Sequence, residues 1–340
     1  MKVLVTGNNG YIGVLLVPML QKHGHEVVGL DTDYYVDCLY DGELPKIRTM
    51  GKDIRDVEPS DLDGIEAIIH LAGLSNDPLG DYKPGLTEEI NDLASVKLGQ
   101  LAKAAGVERF IFASSCSNYG ASGDNFLTEV ADFNPVTPYG VSKVKVEQGL
   151  TKLADQHFCP TYLRASTAYG VSPLLRFDLV VNNLTAWAYT SGLVYLKSDG
   201  TPWRPIVHVE DICRAYVAAL HAPKETVHNE AFNVGTTTEN YQIREIADMV
   251  QEIVPKSRIE YADDAGPDKR CYRVDCNKIA TVLHEFKPQW TARRGIEELY
   301  ETYQRVGLTL EEFEGEKFKR IAHIKKLVDQ GKLDGNLRWA

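Results

Sequence analysis

The stretch from Met1 to Asp31 constrains this chain more than any other. Lys2-Val3-Leu4-Val5 is a short apolar run. Thr6-Gly7-Asn8-Asn9-Gly10-Tyr11-Ile12-Gly13 spaces glycines three apart ahead of a helical pattern, and Glu26-Val27-Val28-Gly29-Leu30-Asp31 is a second apolar run closed by an acid. This order reads as strand, turn, helix and strand, a βαβ unit built to hold a dinucleotide. Gly7 is expected to permit the turn after the first strand, Gly10 to let backbone approach a pyrophosphate, and Gly13 to let the helix pack closely on the sheet. The helix N-terminus then faces the phosphates. Asn9, Tyr11 and Ile12 share that loop and are expected to line the cofactor. Asp31 falls where a carboxylate accepts hydrogen bonds from the adenosine ribose. A 2′-phosphate there would meet its negative charge with no Arg following, so NAD is favoured over NADP.

Beyond Asp31, apolar runs and helical patterns keep alternating. A short strand is expected around Ile47 to Met50, and Ala67-Ile68-Ile69-His70-Leu71-Ala72-Gly73 reads as a buried parallel strand ending in small residues. A helix from about Leu86 to Ala105 carries Asn91, and Arg109-Phe110-Ile111-Phe112-Ala113-Ser114-Ser115 is the fifth strand. The fold class is therefore α/β, a doubly wound parallel sheet, which binds ligands at the carboxyl ends of its strands.

Chemistry is expected just past that fifth strand. Ser114-Ser115-Cys116-Ser117-Asn118-Tyr119-Gly120 follows it, and Tyr139-Gly140-Val141-Ser142-Lys143 opens a helix running to about His157. Tyr139 and Lys143, four apart, share one helix face. Hydride removal from a carbinol carbon needs a base for the hydroxyl proton, and a free tyrosine with a pKa near ~10 is seldom ionised at neutral pH. A neighbouring ammonium and an oxidised nicotinamide both favour the phenolate. Tyr139 is thus read as the base. Lys143 is read as lowering its pKa and holding the nicotinamide ribose, and Ser115 as hydrogen-bonding the same substrate hydroxyl.

Bulk properties narrow the class further. With 340 residues, 44% of them hydrophobic, the chain can bury a large core, and a net charge of −11 argues against a broad nucleic-acid face. The six cysteines are scattered with no zinc spacing, and no metal site is expected. They read as reduced thiols of a cytoplasmic protein. No apolar run approaches the ~20 residues that span a bilayer, and no membrane partner is expected.

These residues together resemble a family, the extended short-chain dehydrogenases that act on nucleotide sugars. The resemblance rests on Thr6 to Gly13, Asp53-Ile54-Arg55, His70 to Gly73, Asn91, Ser115 four before Tyr119-Gly120, Tyr139 to Lys143, and Trp203-Arg-Pro-Ile-Val-His-Val-Glu-Asp211. It covers about 1–290 and implies a Rossmann sheet with a smaller, interleaved C-terminal substrate lobe. It also implies that Asp53 and Ile54 contact adenine, that Leu71, Ala72 and Gly73 line the dinucleotide, and that Asn91 and Ser114 belong with the cofactor. Substrate contacts are implied for Ser75, Ser117, Thr167, Asn182, Asn183, Leu184, Arg204 and Arg270. Read from the residues alone, the segment 170–205 is polar enough to hold a charged ligand, and Asn182 and Asn183 equally suit capping or bridging loops. A homodimer through the helices at 86–105 and 139–157 is implied by analogy.

Departures from the family pattern steer the choice of reaction. Thr167 replaces an Asn in the pattern N-x-Y-G, and Ala265-Gly266-Pro267 replaces Arg-Pro-Gly, so that Arg270 or Arg273 has to supply a phosphate ligand. Cys116 and Ser117 replace the Asp-Glu pair that family dehydratases use as acid and base, which disfavours dehydration. Cys116 itself reads as a buried bystander. Asp31 argues against an NADPH-dependent ketoreductase. A redox-neutral epimerisation, usually at C4 through a 4-keto intermediate, is the reaction expected. The alternatives are a 4-ketoreductase, a 4,6-dehydratase and, more remotely, a non-catalytic NAD-binding regulator.

The expected organisation is a cofactor domain of 1–169 plus about 206–235, with Ile206-Val207-His208-Val209 returning to the sheet. The substrate lobe takes about 170–205 plus 236–307. A helical extension of 308–340 follows, its stripe of Ile321, Ile324, Leu327 and Val328 either packing on its own body or joining a dimer interface.

Overall fold

A computed structural model describes residues 1–266 and 271–340. Seven parallel strands form the central sheet, in the spatial order Glu230–Val234, Cys159–Ala165, Arg109–Ser115, Ala67–His70, Lys2–Thr6, Glu26–Asp31 and Arg48–Gly51. Val3, Leu4, Val5, Ile68 and Ile69 are fully buried because helices cover both faces of the sheet, which is why these strands read as unbroken apolar runs.

Strand order reverses beside the first strand. Thr6 pairs with Leu30 on one side and with His70 on the other. The connections leaving Thr6 and His70 therefore part company at the carboxyl edge and open a crevice, the place where such sheets bind ligands. Gly7 sits in that gap with φ +75°, and a Cβ on it would lie 2.9 Å from the Ala72 backbone nitrogen. No other residue type fits there without moving the neighbouring loop.

Three elements differ from expectation. The helix over 86–105 is broken into Pro84–Thr87, a wide π-turn at Glu88–Leu93, and Ala94–Ala104. The strand Cys159–Ala165, with Pro160 as its second residue, lies between Arg109–Ser115 and Glu230–Val234, and the helix before it ends at Thr151, short of His157. Trp203–His208 does not rejoin the central sheet. It pairs with Thr167–Tyr169 and Asn240–Gln242 in a separate three-stranded sheet, and Glu230–Val234 makes the return by pairing with Cys159–Ala165. Both candidates are short and apolar, so only tertiary packing distinguishes them.

A second core lies under that small sheet. The helices Val180–Ser191, Ile243–Ile253 and Ala292–Val306 bury Leu184, Ile246, Val250, Ile296, Leu299 and Tyr303 together with Leu196 and Ile206. The C-terminal helix Arg320–Asp329 packs on its own chain: Ile324 and Leu327, with Leu333 and Leu337, join the core beside Leu30, Ile54 and Leu79. Among the described residues, no helix is long and apolar enough to cross a membrane.

Candidate active site

The crevice widens into a cleft of about 950 Å³ between the sheet's carboxyl edge and the second core. One wall is the glycine turn. Gly10 N donates to Gly7 O at 3.1 Å, and Gly13 opens the helix Gly13–Lys22 in such tight contact that a Cβ there would lie 2.3 Å from Gly7 O. Gly7, Asn9, Gly10, Tyr11, Ile12 and Gly13 all line the cleft, as do Leu71, Ala72 and Gly73 from the facing loop. A cradle that side chains would fill, at the start of a helix, fits a dinucleotide pyrophosphate.

Asp31 ends the second strand at the cleft, 9% exposed. Its carboxylate accepts from Asn9 N and from Asp33 N, each at 2.9 Å, leaving lone pairs for ribose hydroxyls. Burial pushes its pKa up to about 6, partly offset by those backbone donors. Lys52 also lines this end, but its ammonium is held by Asp61 at 2.8 Å and by Glu58 at 3.8 Å. Arg55 is held by Asp53 and Glu89. Lys52 and Arg55 are thus already paired, which suits NAD better than a 2′-phosphate.

A pH dependence follows from this carboxylate. Ribose hydroxyls donate to its charged form and lower its pKa in the complex, so NAD affinity is expected to weaken as pH falls below about 6. The weakening approaches about tenfold per pH unit until the bound-state pKa is reached. Calorimetric titration of the cofactor-free protein between pH 5 and 7 measures it, and a flat profile would remove Asp31 from the ribose.

Asp53 caps the short helical turn Ile54–Asp56, accepting from Arg55 N at 2.8 Å, while it and Ile54 still line the cleft. Asn91 lies elsewhere. The π-turn points it inward, where its Oδ1 accepts from Leu74 N at 2.7 Å and its Nδ2 donates to Leu74 O at 3.0 Å. It fixes the loop after the fourth strand and does not line the cleft.

The part of the cleft that holds the residues expected to be catalytic is built by the fifth strand and the helix Pro138–Thr151. Thr137 caps that helix by accepting from Gly140 N at 3.2 Å, and its own hydroxyl donates to Asp77 at 2.7 Å. Tyr139, Lys143, Ser114, Ser115 and Ser117 all line the cleft, with the Ser115 hydroxyl donating to Ser117 Oγ at 3.1 Å. Ser114 turns back to donate to Glu147.

The protonation pattern corrects one expectation. Burial pushes the Tyr139 phenol up to about 12, the negative charge of Asp77 adds to this, and Ser115 and Arg176 act in the opposite direction. The Lys143 ammonium lies 4.7 Å from the Phe112 ring centroid and 5.5 Å from that of Tyr139. Burial in this apolar setting brings its own pKa down to about 8, with Glu147 pulling it up. Lys143 therefore stays largely protonated near neutral pH, and the protein alone does not lower the tyrosine. His70, hydrogen-bonded to Thr6 and Ser95, is kept neutral by burial down to about 3. Cys116 is fully buried, donates to Arg164 O at 3.1 Å and is pushed up to about 12 by that burial; it does not line the cleft.

Of the residues expected to contact substrate, Ser75, Thr167, Asn183, Leu184 and Arg204 line the cleft. Asn183 also donates to Phe177 O at 2.8 Å. Asn182 takes the loop-bridging alternative: it is fully buried, accepting from Gly170 N at 2.9 Å and donating to Arg176 O at 3.0 Å. Arg204 donates to Trp203 O at 2.9 Å. Arg273 packs over Phe126 and Trp203, and Arg270 lies outside the described residues. Tyr35, Asp77, Asp178, Tyr272 and Arg320 line the cleft without any local signal in the sequence. Each stands in a segment whose approach to the cleft depends on long-range folding.

Comparison with known proteins agrees with this geometry. Residues 3–235 match the NAD dependent epimerase/dehydratase family. The UDP-glucose 4-epimerase of Lactobacillus helveticus is 29% identical over 310 residues, covering 83% of this chain and 91% of that protein. The enzyme of the same name from Bacillus subtilis is 28% identical over 334 residues, covering 88% and 94%. Among solved structures, MoeE5 in complex with UDP-glucuronic acid and NAD matches with a TM-score of 0.78 at 28% identity, over 90% of this chain and 99% of that one. With most of its length matched and its crevice shaped for the dinucleotide, the chain belongs to the NAD dependent epimerase/dehydratase family.

Proposed function

We propose that this protein inverts C4 of a nucleotide sugar. The observation that carries the proposal is the convergence of Tyr139, Ser115 and Lys143 on one end of a cleft whose other end is the glycine cradle and Asp31. Bound NAD supplies a hydride acceptor that later returns the hydride. The chain's own residues then have four tasks. Tyr139 takes the proton of the 4-hydroxyl through its phenolic oxygen and gives it back after inversion. Ser115 hydrogen-bonds the same hydroxyl and, by stabilising the ionised phenol, favours the transfer. Lys143 holds the cofactor ribose. Arg204, with Asn183 and Leu184, holds the diphosphate and nucleotide away from the reacting carbon, which leaves the sugar free to turn over.

Relatives named as 4-epimerases support this reading, and so does the residue pair after Ser115. Cys116 is buried away from the cleft and Ser117 carries no charge, so neither supplies the acid that elimination of water requires. A second reading draws on one observation. Asp77 lines the cleft, and its charge acts on Tyr139, which offers a carboxylate for dehydration from a different element.

Incubation of the purified protein with a panel of UDP-, dTDP-, GDP- and CDP-sugars, without added cofactor, separates the two by mass. A new chromatographic peak of unchanged mass is the expected result. A product lighter by one water would establish the second reading, and turnover confined to added reduced cofactor would replace both by a ketoreductase.

A further inference from the structure

Arg320 opens the C-terminal helix, well beyond the family match that ends at residue 235. It is 2% exposed, yet its side chain forms part of the cleft wall. Its Nη2 donates to Leu174 O at 3.0 Å, its guanidinium carbon lies 4.1 Å from the Tyr35 ring centroid, and its Nη1 has no partner. A buried guanidinium with an unused donor is costly unless an anion meets it. The nearby carboxylate is already engaged. Both oxygens of Asp178 accept from Arg176, at 2.9 and 3.2 Å, and Asn76 donates to the same group. With Asp178 taken up by Arg176 and Asn76, no carboxylate among the described residues hydrogen-bonds the Arg320 guanidinium.

The surroundings indicate which anion. Tyr35 follows Asp31 by four residues, and Arg176, whose positive charge acts on Arg320, packs 5.9 Å from the Tyr11 ring centroid in the glycine turn. Arg204, the cation read as facing the sugar nucleotide, stands apart beside Trp203 and Tyr272.

We propose that Arg320 binds the cofactor's pyrophosphate, complementing the backbone of the glycine turn, and that the segment from Arg320 to Ala340 is built to hold this guanidinium in place. The proposal rests on the cleft being the NAD site. Several contacts tie the segment to the lip of the adenosine end. His323 Nε2 lies 2.9 Å from Tyr34 O, and the Tyr34 hydroxyl donates to Leu337 O. Trp339 Nε1 donates to Thr32 O at 2.6 Å, and Arg338 pairs with Asp56. Leu333 and Leu337 are buried beneath. The latch explains how a residue so far along the chain is fixed against Tyr35, just past the second strand.

The test uses the full chain stripped of cofactor, titrated calorimetrically with NAD, ADP-ribose, adenosine and UDP. Arg320→Gln is expected to weaken NAD and ADP-ribose by about ten- to hundredfold, the usual range for a charge-assisted contact. Adenosine and UDP affinities should stay unchanged, and Arg320→Lys should fall between. Thermal unfolding of the cofactor-free variants guards against misfolding: loss of a buried charge that no carboxylate hydrogen-bonds predicts an unchanged or higher Tm for Arg320→Gln, with a smaller rise on adding NAD. ADP-ribose affinity within twofold of the parent would overturn the role. An equal loss for adenosine would make Arg320 merely structural, and a loss confined to UDP would assign it to the substrate. Failure of the parent chain to bind NAD or ADP-ribose at all would instead remove the cofactor reading of the cleft.

Discussion

Tyr139→Phe is expected to lower kcat by about a thousandfold, the middle of the range for losing a general acid–base group, while NAD affinity changes little. The phenol oxygen is the only atom removed, and the helix that carries it keeps its Thr137 cap, its buried Val146 and Leu150 and its Lys143. Because burial holds this phenol up to about 12, little of it is ionised in the protein alone, so the role proposed for it is proton transfer at the reacting carbon and not a standing charge. Steady-state rates together with calorimetric NAD titration check the prediction. A kcat within tenfold of the parent would transfer the base role to another group, such as Asp77, a carboxylate of the cleft wall whose charge acts on Tyr139.

Glu147→Leu is expected to destabilise the fold by about 3–5 kcal/mol, the usual effect of removing one partner of a buried ion pair. Glu147 and Arg164 have side chains 5% and 6% exposed and meet through two hydrogen bonds, Nε to Oε1 at 3.0 Å and Nη2 to Oε2 at 2.6 Å. Asn118 donates to Oε1 at 3.1 Å, and Arg164 Nη1 donates to the Tyr119 hydroxyl at 3.0 Å and to Glu129 O at 2.9 Å. Deleting the carboxylate strands the guanidinium in the core. Urea unfolding midpoints measure the loss, and the double variant Glu147→Leu with Arg164→Met should recover most of it, because both charges then leave together. Equal losses for the single and double variants would show that the pair is not coupled. Glu147 also sits one turn after Lys143 and raises its pKa, so in the single variant that lysine should titrate below about 8.

The pair also shows where reading the sequence stops. Arg164 stands out only as part of Leu163-Arg164 ahead of Tyr169-Gly170, and Glu147 reads as one of several polar positions on a helix. Nothing local joins them. They meet because Cys159–Ala165 lies beside Arg109–Ser115 in the sheet, under the helix Pro138–Thr151. The same limit explains Asn91 and Asn182. Each occupies a position where family resemblance implies a ligand, yet each spends its amide on backbone, Asn91 on the Leu74 loop and Asn182 on Gly170 and Arg176. An asparagine's two functions are indistinguishable until its surroundings are known, since one amide satisfies a buried loop and a ligand equally well.

By itself the sequence determined the parts whose physics is local. Strand runs, the three-residue glycine spacing, an acid closing the second strand and a lysine one turn after a tyrosine are set by backbone sterics and helix periodicity over ten or so residues. They were enough to indicate a doubly wound sheet, a dinucleotide and a tyrosine base. Tertiary structure alone decided which apolar strand closes the sheet, where the substrate lobe folds back and which distant charges share the cleft. Asp77, Arg176 and Arg320 come from three separated segments, and burial raises the energetic consequence of each charge only once those segments have packed together. That dependence on long-range packing is why the cleft's electrostatics could not be read from the order of its residues.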